Sequence, residues 1–384
     1  MKVYLDNAAT TRLDKRVEQA MRPYYSKLYA NASSIHEPGQ ENYLDLINAK
    51  EKIANIIGGK ARSIIFTSSA TEANNLIIKG LARANKNSDR KKIIISEIEH
   101  PCVRESANSL KEEGFEIVYL KPNNKGIIEK EELLKKIDKK TLLVSVMMVN
   151  NEIGTINKVK DLADISHKYG AYFHTDAVQA VPYIKIDIAK MDIDFLSLSA
   201  HKFNGPKGVG LAYIKSGVNI KAEILGGGQE DGLRAGTYNM PAIIGFAKAL
   251  ELAYLERDKY IKQIKTLRDY FWQEIKKNIS DVKVNGCLKN RVASNLNIMF
   301  YSIEGEAILM DLSRQGVYVS TGSACSATDL KGSYVLKSIG LDKNYLNSNI
   351  RFSLGKYNTK QEIDYTVKCL KNTVKRLRSF SPIK

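Results

Sequence analysis

The feature that most narrows what this chain can fold into is an alternation of two periods. Apolar, β-branched runs of strand length recur, and stretches of helical length lie between them. The runs read IIFT (64–67), KIIIS (92–96), FEIVYL (115–120), TLLVSVMMV (141–149), AYFHTD (171–176), DFLSLSA (194–200) and GVGLAYI (208–214). Helical patterns fall at 71–86, 101–113, 129–138 and 158–169. Strands taken in turn with helices predict an α/β fold whose largely parallel sheet is covered on both faces. In such a sheet ligands gather at the carboxyl ends of the strands. From about 240 to 279 a long amphipathic stretch reads as one connecting helix into a second domain. That smaller α+β domain has short strands at ASNLNIMF and NIRFSL and helices at 304–315 and 360–377.

The 384 residues, 43% of them hydrophobic, suffice for a sizeable core and for two domains. The longest apolar run, Leu142 to Val149, is broken by Ser145 and is too short to cross a bilayer. The opening MKVYLDNAATT lacks the basic and then apolar order of a secretory signal, so the cytoplasm is expected. Four cysteines, at 102, 287, 325 and 369, form no CxxC pair, which argues against a disulfide framework or a structural zinc site. Any special cysteine acts alone. The net charge of +17 is spread over helical segments such as 129–140 and 256–278 together with acids. That pattern suits solvated faces, an anionic cofactor or an acidic protein partner better than nucleic acid.

The residues that follow the strand-like runs carry the chemistry. DFLSLSAHKFNGPKG buries Phe195 by its alternation and then emits Ser199, His201 and Lys202 ahead of a glycine- and proline-rich turn. A lysine there suits a Schiff base or a phosphate contact, and on that fragment alone it also reads as a surface lysine capping a turn. AYFHTDAVQA sets Asp176 at another strand end, with Gln179 about one turn on, and an acid in that place can pair with a pyridinium nitrogen. In IIFTSSATEANNLIIKGLA, Ser69 and Glu72 have the spacing of a capping box. The amides at that helix start, with Thr71, make either an anion site or a plain helix cap. His100 in ISEIEHPCVRE can stack on a planar ring, carry protons or serve the structure only. Asn150 and Asn151 in VNNEIGT also read as turn formers. The stretch GGGQEDGLRAGTYN (226–239) is flexible enough to bring Thr237 and backbone amides to a phosphate. Neither GxGxxG nor GxxxxGK[ST] occurs, which weighs against nucleotide binding. Arg351 in NIRFSLG offers a rigid fork for an α-carboxylate or for an internal salt bridge. TGSACSATD (321–329) places Cys325 among small residues with nothing to pack it. When five strand ends in sequence order each offer a ligand for a ring, a phosphate or an imine, coincidence is a poor explanation.

With those residues in view, the chain resembles the class V branch of fold-type I pyridoxal-phosphate enzymes, and within it the cysteine desulfurases of the NifS/IscS type. The resemblance runs end to end, in family order, through YLDNAATT, SSATEANN, EHPCV, VNNEIGT, HTDAVQ, SLSAHKFNGPKGVG, GGGQEDGLRAGTYN, TGSACSAT, SYVL and IRFSLG. It implies a large domain over 13–257 with a mostly parallel seven-stranded sheet. It also implies a small domain built from 1–12 and 258–384 that carries the Cys325 loop. By that resemblance Lys202 holds pyridoxal 5'-phosphate covalently and moves protons on the substrate. Asp176 keeps the pyridine nitrogen protonated, Gln179 and Asn151 contact the phenolic oxygen side, and His100 stacks on the ring. Ala70, Thr71, Ser199 and His201 hold the phosphate, and Thr237 reaches in from the second subunit of a homodimer. Arg351, helped by Asn31, takes the carboxylate of L-cysteine. Cys325 attacks the substrate sulfur as a thiolate and becomes a persulfide, and L-alanine is released. In some relatives that cysteine also helps hold a nascent iron–sulfur cluster with a scaffold.

Three departures from the family pattern stand out. Asn-Ala-Ser-Ser replaces the usual Asn-Pro-Ser-Ser near residue 31, Asp231 sits where many relatives carry arginine, and the chain ends at SFSPIK without the longer scaffold-docking tail. The stretch between Cys325 and Ser333 has the length of the long mobile loop of the NifS/IscS group, suited to carrying sulfur from a buried ring to an acceptor such as an iron–sulfur scaffold. Two other readings compete: a selenocysteine lyase or another β-eliminating enzyme, and a non-catalytic sulfur carrier or scaffold-binding protein.

Overall fold

The computed structural model describes residues 1–322 and 332–380. The chain opens with a two-residue strand, β1 (Val3–Tyr4), and then builds one seven-stranded sheet. Its strands are β2 (Ile64–Thr67), β3 (Lys92–Ser96), β4 (Glu116–Leu120), β5 (Thr141–Ser145), β6 (Tyr172–Asp176), β7 (Phe195–Ser199) and β8 (Gly210–Ile214), in the order β2-β8-β7-β6-β5-β3-β4. Only β8 runs against its neighbours. The connection from β7 to β8 holds a single 3₁₀ turn, too little chain for the helical crossover a parallel return needs. Alternate residues feed two apolar layers: Ile64, Ile94, Leu196 and Leu198 face one, and Ile65, Ile93, Ile95 and Phe195 the other. That is the double covering the sequence predicts for unbroken apolar runs.

Two elements differ from the sequence expectation. The run at 141–149 leaves the sheet after Ser145. Met148 N still donates to Asp176 O at 2.9 Å, but Met147 N is taken by the buried carboxylate of Glu99, Oε1 at 2.6 Å, in place of a neighbouring strand. The expected connecting helix is two helices, Met240–Leu255 and Arg257–Asn278. The break at Glu256 is where the buried stripe passes from one core to another: Met240, Ile243 and Phe246 pack with the large sheet, while Ile264, Phe271 and Ile275 belong to a second cluster. Glu256 itself is held by Arg16 at 2.7 Å and Lys356 at 2.5 Å.

That second cluster surrounds an antiparallel sheet of β9 (Val282–Val284), β10 (Asn295–Phe300) and β12 (Asn349–Ser353), ordered β12-β10-β9. β1 pairs in parallel with β11 (Val317–Tyr318), so Val3 and Leu5 pack with Ile298 and Phe352. The first residues of the chain therefore lie over the second core, and residues 6–11 run on toward the ends of the large-sheet strands. Among the described residues no helix is long and apolar enough to cross a membrane.

Candidate active site

A cavity of about 290 Å³ opens at the carboxyl ends of β5, β6 and β7, and its wall is drawn from both sheets. Its floor begins with the turn after β2. Ser69 caps the helix Ala70–Ala84 by accepting from Glu72 N at 3.3 Å. The Glu72 carboxylate returns to Ser68, accepting from its N at 2.8 Å and its Oγ at 2.5 Å, and is fixed from outside by Arg234 Nε at 2.8 Å. The predicted capping box is thus displaced by one residue. β8 crosses directly beneath: a Cβ on Gly210 would lie 2.3 Å from the Ser69 carbonyl carbon, so only glycine lets strand and helix start approach this closely. Ala70 and Thr71, the first residues of that helix, line the cavity, where its dipole favours an anion.

Lys202 ends the 3₁₀ turn that follows β7. Its ammonium donates to Ala8 O at 2.7 Å and Ala9 O at 2.8 Å, contacts that bring the 6–11 segment over the site. The same segment is stitched on by Thr11 Oγ1 donating to His201 O at 2.8 Å and by His201 Nδ1 lying 3.1 Å from Thr10 Oγ1. Burial, then Lys202 and Lys207, push the His201 imidazole down to about 4. It is neutral at physiological pH and meets an anion as a hydrogen-bond partner, not as a charge. Ser199 stands beside it, buried.

Asp176 closes β6 and is 5% exposed. Oδ2 accepts from the fully buried Asn74 Nδ2 at 2.9 Å, and Oδ1 accepts from Val178 N at 3.0 Å. Both oxygens are oriented before anything binds. Asn74 Nδ2 also lies 3.2 Å from Cys102 Sγ, which is 3.0 Å from His100 Nδ1. His100 caps the helix Pro101–Ser109, its Nδ1 accepting from Cys102 N at 3.3 Å. Burial, with Lys202 opposing Asp176, holds its imidazole below the ordinary range, so it too is neutral. Burial, with Asp176 next, pushes the Cys102 thiol up to about 12, which answers against a thiolate role there. Cys287 is half-buried, and backbone N–H groups hold its thiol below the ordinary range. In folded protein at pH 8, iodoacetamide is therefore expected to label Cys102 about a thousandfold more slowly than Cys287, read as peptide masses over time. Equal labelling would show that Cys102 is not a buried neutral thiol.

At the far end stands Arg351, on β12 and 3% exposed. It donates to Asp6 Oδ1 at 2.8 Å and to Asn151 O at 3.2 Å. Among the described residues its Nε has no partner, and the guanidinium is both half of an internal ion pair and part of the cavity wall. Gln179 Nε2 donates to Ala8 O at 2.9 Å. Asn150 takes the plain turn role, its Oδ1 accepting from Glu152 N and Ile153 N at 2.9 Å, while Asn151 faces the cavity.

Ten of the residues picked out from the sequence, Ala70, Thr71, His100, Asn151, Asp176, Gln179, Ser199, His201, Lys202 and Arg351, share this one cavity. Thr237 and Asn31 do not. Thr237 lies exposed beside a separate cavity with Ser68 and Arg234, and Asn31 is an exposed turn residue whose Oδ1 accepts from Ser33 N at 2.9 Å. Cys325 lies outside the described residues. Asn74, Glu152, Tyr334 and the Ala8–Thr10 backbone were not singled out from the sequence; the small residues of DNAATT, which let the chain pass close over a lysine, are the signal that was there. The cavity presents helix amides, a hydroxyl and a neutral imidazole for an anion, a carboxylate for a protonated ring nitrogen, an amine for a carbonyl, and a guanidinium for a second acid. Among the described residues no cluster of three or more His, Cys, Asp or Glu is placed to hold a metal ion.

Residues 3–366 match the class-V aminotransferases. A cysteine desulfurase IscS of Dictyoglomus turgidum is 48% identical over 382 residues, spanning 100% of this chain and 97% of its own length. Among solved structures, a NifS-like protein superposes with a TM-score of 0.93 at 38% identity, over 98% of this chain and 100% of that one. SspA in complex with cysteine does so with a TM-score of 0.82 at 33% identity, over 93% of this chain and 100% of that one.

Proposed function

The chain belongs to the class-V aminotransferase family, and from that premise we propose how it works as a pyridoxal-phosphate-dependent cysteine desulfurase that passes sulfur through Cys325 to an acceptor protein. The residues fit the cofactor. The helix start at Ala70, Ser199 and His201 suit its phosphate, the pre-oriented Asp176 suits its ring nitrogen, and the neutral His100 suits its face. When bound, pyridoxal phosphate supplies an electron sink that loosens bonds at the substrate's α and β carbons. The protein supplies the rest. Arg351, which lines the cavity, takes the carboxylate of L-cysteine. Lys202, held 2.7–2.8 Å from two carbonyls, moves the α proton. The Cys325 thiolate attacks the substrate sulfur, the carbon–sulfur bond breaks, and the carbon fragment keeps the electron pair and takes a proton. L-cysteine and one thiol thus become L-alanine and one persulfide, with no external oxidant.

The observation that carries this reading is the convergence of Lys202, Asp176 and the neutral His100 on one cavity that ends at Arg351. The deciding experiment is a single turnover of holoprotein with L-cysteine. One equivalent of alanine and one extra sulfur on the peptide holding Cys325 are expected; free sulfide with no protein-bound sulfur would instead mean β-elimination. Asp176→Asn is expected to cut turnover about a hundredfold, because an amide neither favours the protonated ring nitrogen nor balances its charge. Steady-state alanine release measures it, and a loss below about threefold would remove Asp176 from that role.

A homodimer belongs to the same reading: Thr237 is exposed and stays out of its own chain's cavity, as a residue serving a neighbour's site would. The large domain would span 13–257, and the small one 1–12 with 258–384, a division that the two apolar clusters support. An iron–sulfur scaffold is the acceptor we favour. The cytoplasm fits a chain whose described cysteines, Cys102, Cys287 and Cys369, are all unpaired.

A further inference from the structure

Glu152 is a buried acid in the cavity wall for which the chemistry above has no use. It is 3% exposed, and its backbone is locked: its N–H donates to Asn150 Oδ1 at 2.9 Å, and its carbonyl accepts from Asn295 Nδ2 at 3.0 Å and Asn297 Nδ2 at 3.2 Å, both on β10. From that fixed base the side chain meets two residues far apart in sequence. Oε2 accepts from Ser333 Oγ at 2.6 Å. The same oxygen stands 3.1 Å from where a Cβ on Gly322 would lie, and Gly322 has φ +96°. Gly322 is further held by its N–H on Ser320 Oγ at 3.2 Å. Ser333 passes the constraint on, because its Oγ accepts from Leu336 N at 3.1 Å and so caps the helix Tyr334–Ser338.

We propose that Glu152 is a positioning residue for sulfur transfer: its side chain sets the places of Gly322 and Ser333, the residues on either side of the stretch that carries Cys325. This rests on the reading of Cys325 as the sulfur acceptor. Burial raises the Glu152 carboxyl, with Ser333 and Arg351 opposing; Tyr334 also faces it. Arg351 is already paired with Asp6, so charge on Glu152 in the same cavity wall would repel the substrate's carboxylate. Glutamine keeps an acceptor for Ser333 without the charge. Alanine leaves the Ser333 hydroxyl without its partner and opens space beside Gly322.

The test uses Glu152→Ala, Glu152→Gln and Ser333→Ala in the full chain. In single turnovers of holoprotein, Glu152→Ala is expected to slow persulfide formation about thirtyfold while the KM for L-cysteine changes less than about threefold, the signature of a misplaced reacting group. Glu152→Gln is expected to restore the rate to within about threefold of wild type. In cofactor-free protein, hydrogen exchange at the Leu336 amide is expected to rise about tenfold in Glu152→Ala and in Ser333→Ala, but not in Glu152→Gln. A persulfide rate in Glu152→Ala within about twofold of wild type overturns the proposal, as does a glutamine variant as slow as alanine. If wild-type protein forms no persulfide, the reading of Cys325 falls instead, and the Leu336 exchange still decides whether Glu152 sets Ser333.

Discussion

Lys202→Ala, loaded with pyridoxal phosphate, is expected to lose turnover of L-cysteine by about four orders of magnitude, because the cavity-wall amine proposed to attack a carbonyl and to move the α proton is gone. The geometry argues that the loss is chemical. Lys202 sits on a 3₁₀ turn whose backbone is anchored by Thr11 donating to His201 O, and β7 ahead of it is wholly buried. Among the contacts alanine removes locally are the hydrogen bonds to Ala8 O and Ala9 O. Two variants separate these effects. Lys202→Arg keeps donors for both carbonyls but carries a guanidinium that stays protonated, so it should be about as inactive as alanine. Added methylamine should recover part of the activity of Lys202→Ala and none of Lys202→Arg, because only alanine leaves room for a free amine. Alanine release in single turnovers is the measurement. A Lys202→Ala protein retaining a tenth of wild-type turnover would show that another group carries the proton.

The order in which that lysine, its acid and its imidazole occur was readable because each follows an apolar run, and the runs themselves are fixed by burial on both faces. Their partners were not readable. Asn74 meets Asp176 because the helix after β2 packs back over β8 and β7, a consequence of sheet order that no local pattern encodes. The strand at 141–149 ended early for a related reason. A side chain, Glu99, took the amide that periodicity assigns to a neighbouring strand. The capping box moved by one residue because Glu72 is also claimed by Arg234 from a distant loop. At Arg351 the sequence offered a carboxylate clamp or an internal ion pair; the pair with Asp6 is present, and the same residue lines the cavity where the proposed clamp would act. Asn31 and Thr237 mark the limit of reasoning within one chain, since neither reaches the cavity that its own fold encloses.

Cys325→Ala is expected to abolish protein-bound sulfur and to lower alanine formation from L-cysteine about a thousandfold or more, while the cofactor's absorption still responds to the substrate. Binding and sulfur transfer rest on different residues. Arg351, Lys202, Asp176 and His100, the residues proposed for the substrate's carboxylate, the amine chemistry and the ring, all line the cavity and are unchanged by this substitution. The sulfur, by contrast, needs a nucleophile, and Cys102, the described thiol that lines the cavity, cannot supply one. Cys102 is pushed up to about 12, so at pH 8 about one molecule in ten thousand carries its thiolate. Cys325→Ser tests the same point with an isosteric side chain, because a hydroxyl is ionised far less than a thiol at this pH and should be as inactive as alanine. Alanine formation continuing at the wild-type rate in Cys325→Ala, with sulfide released to solution, would mean that the carbon–sulfur bond breaks by elimination and that the protein never carries the sulfur.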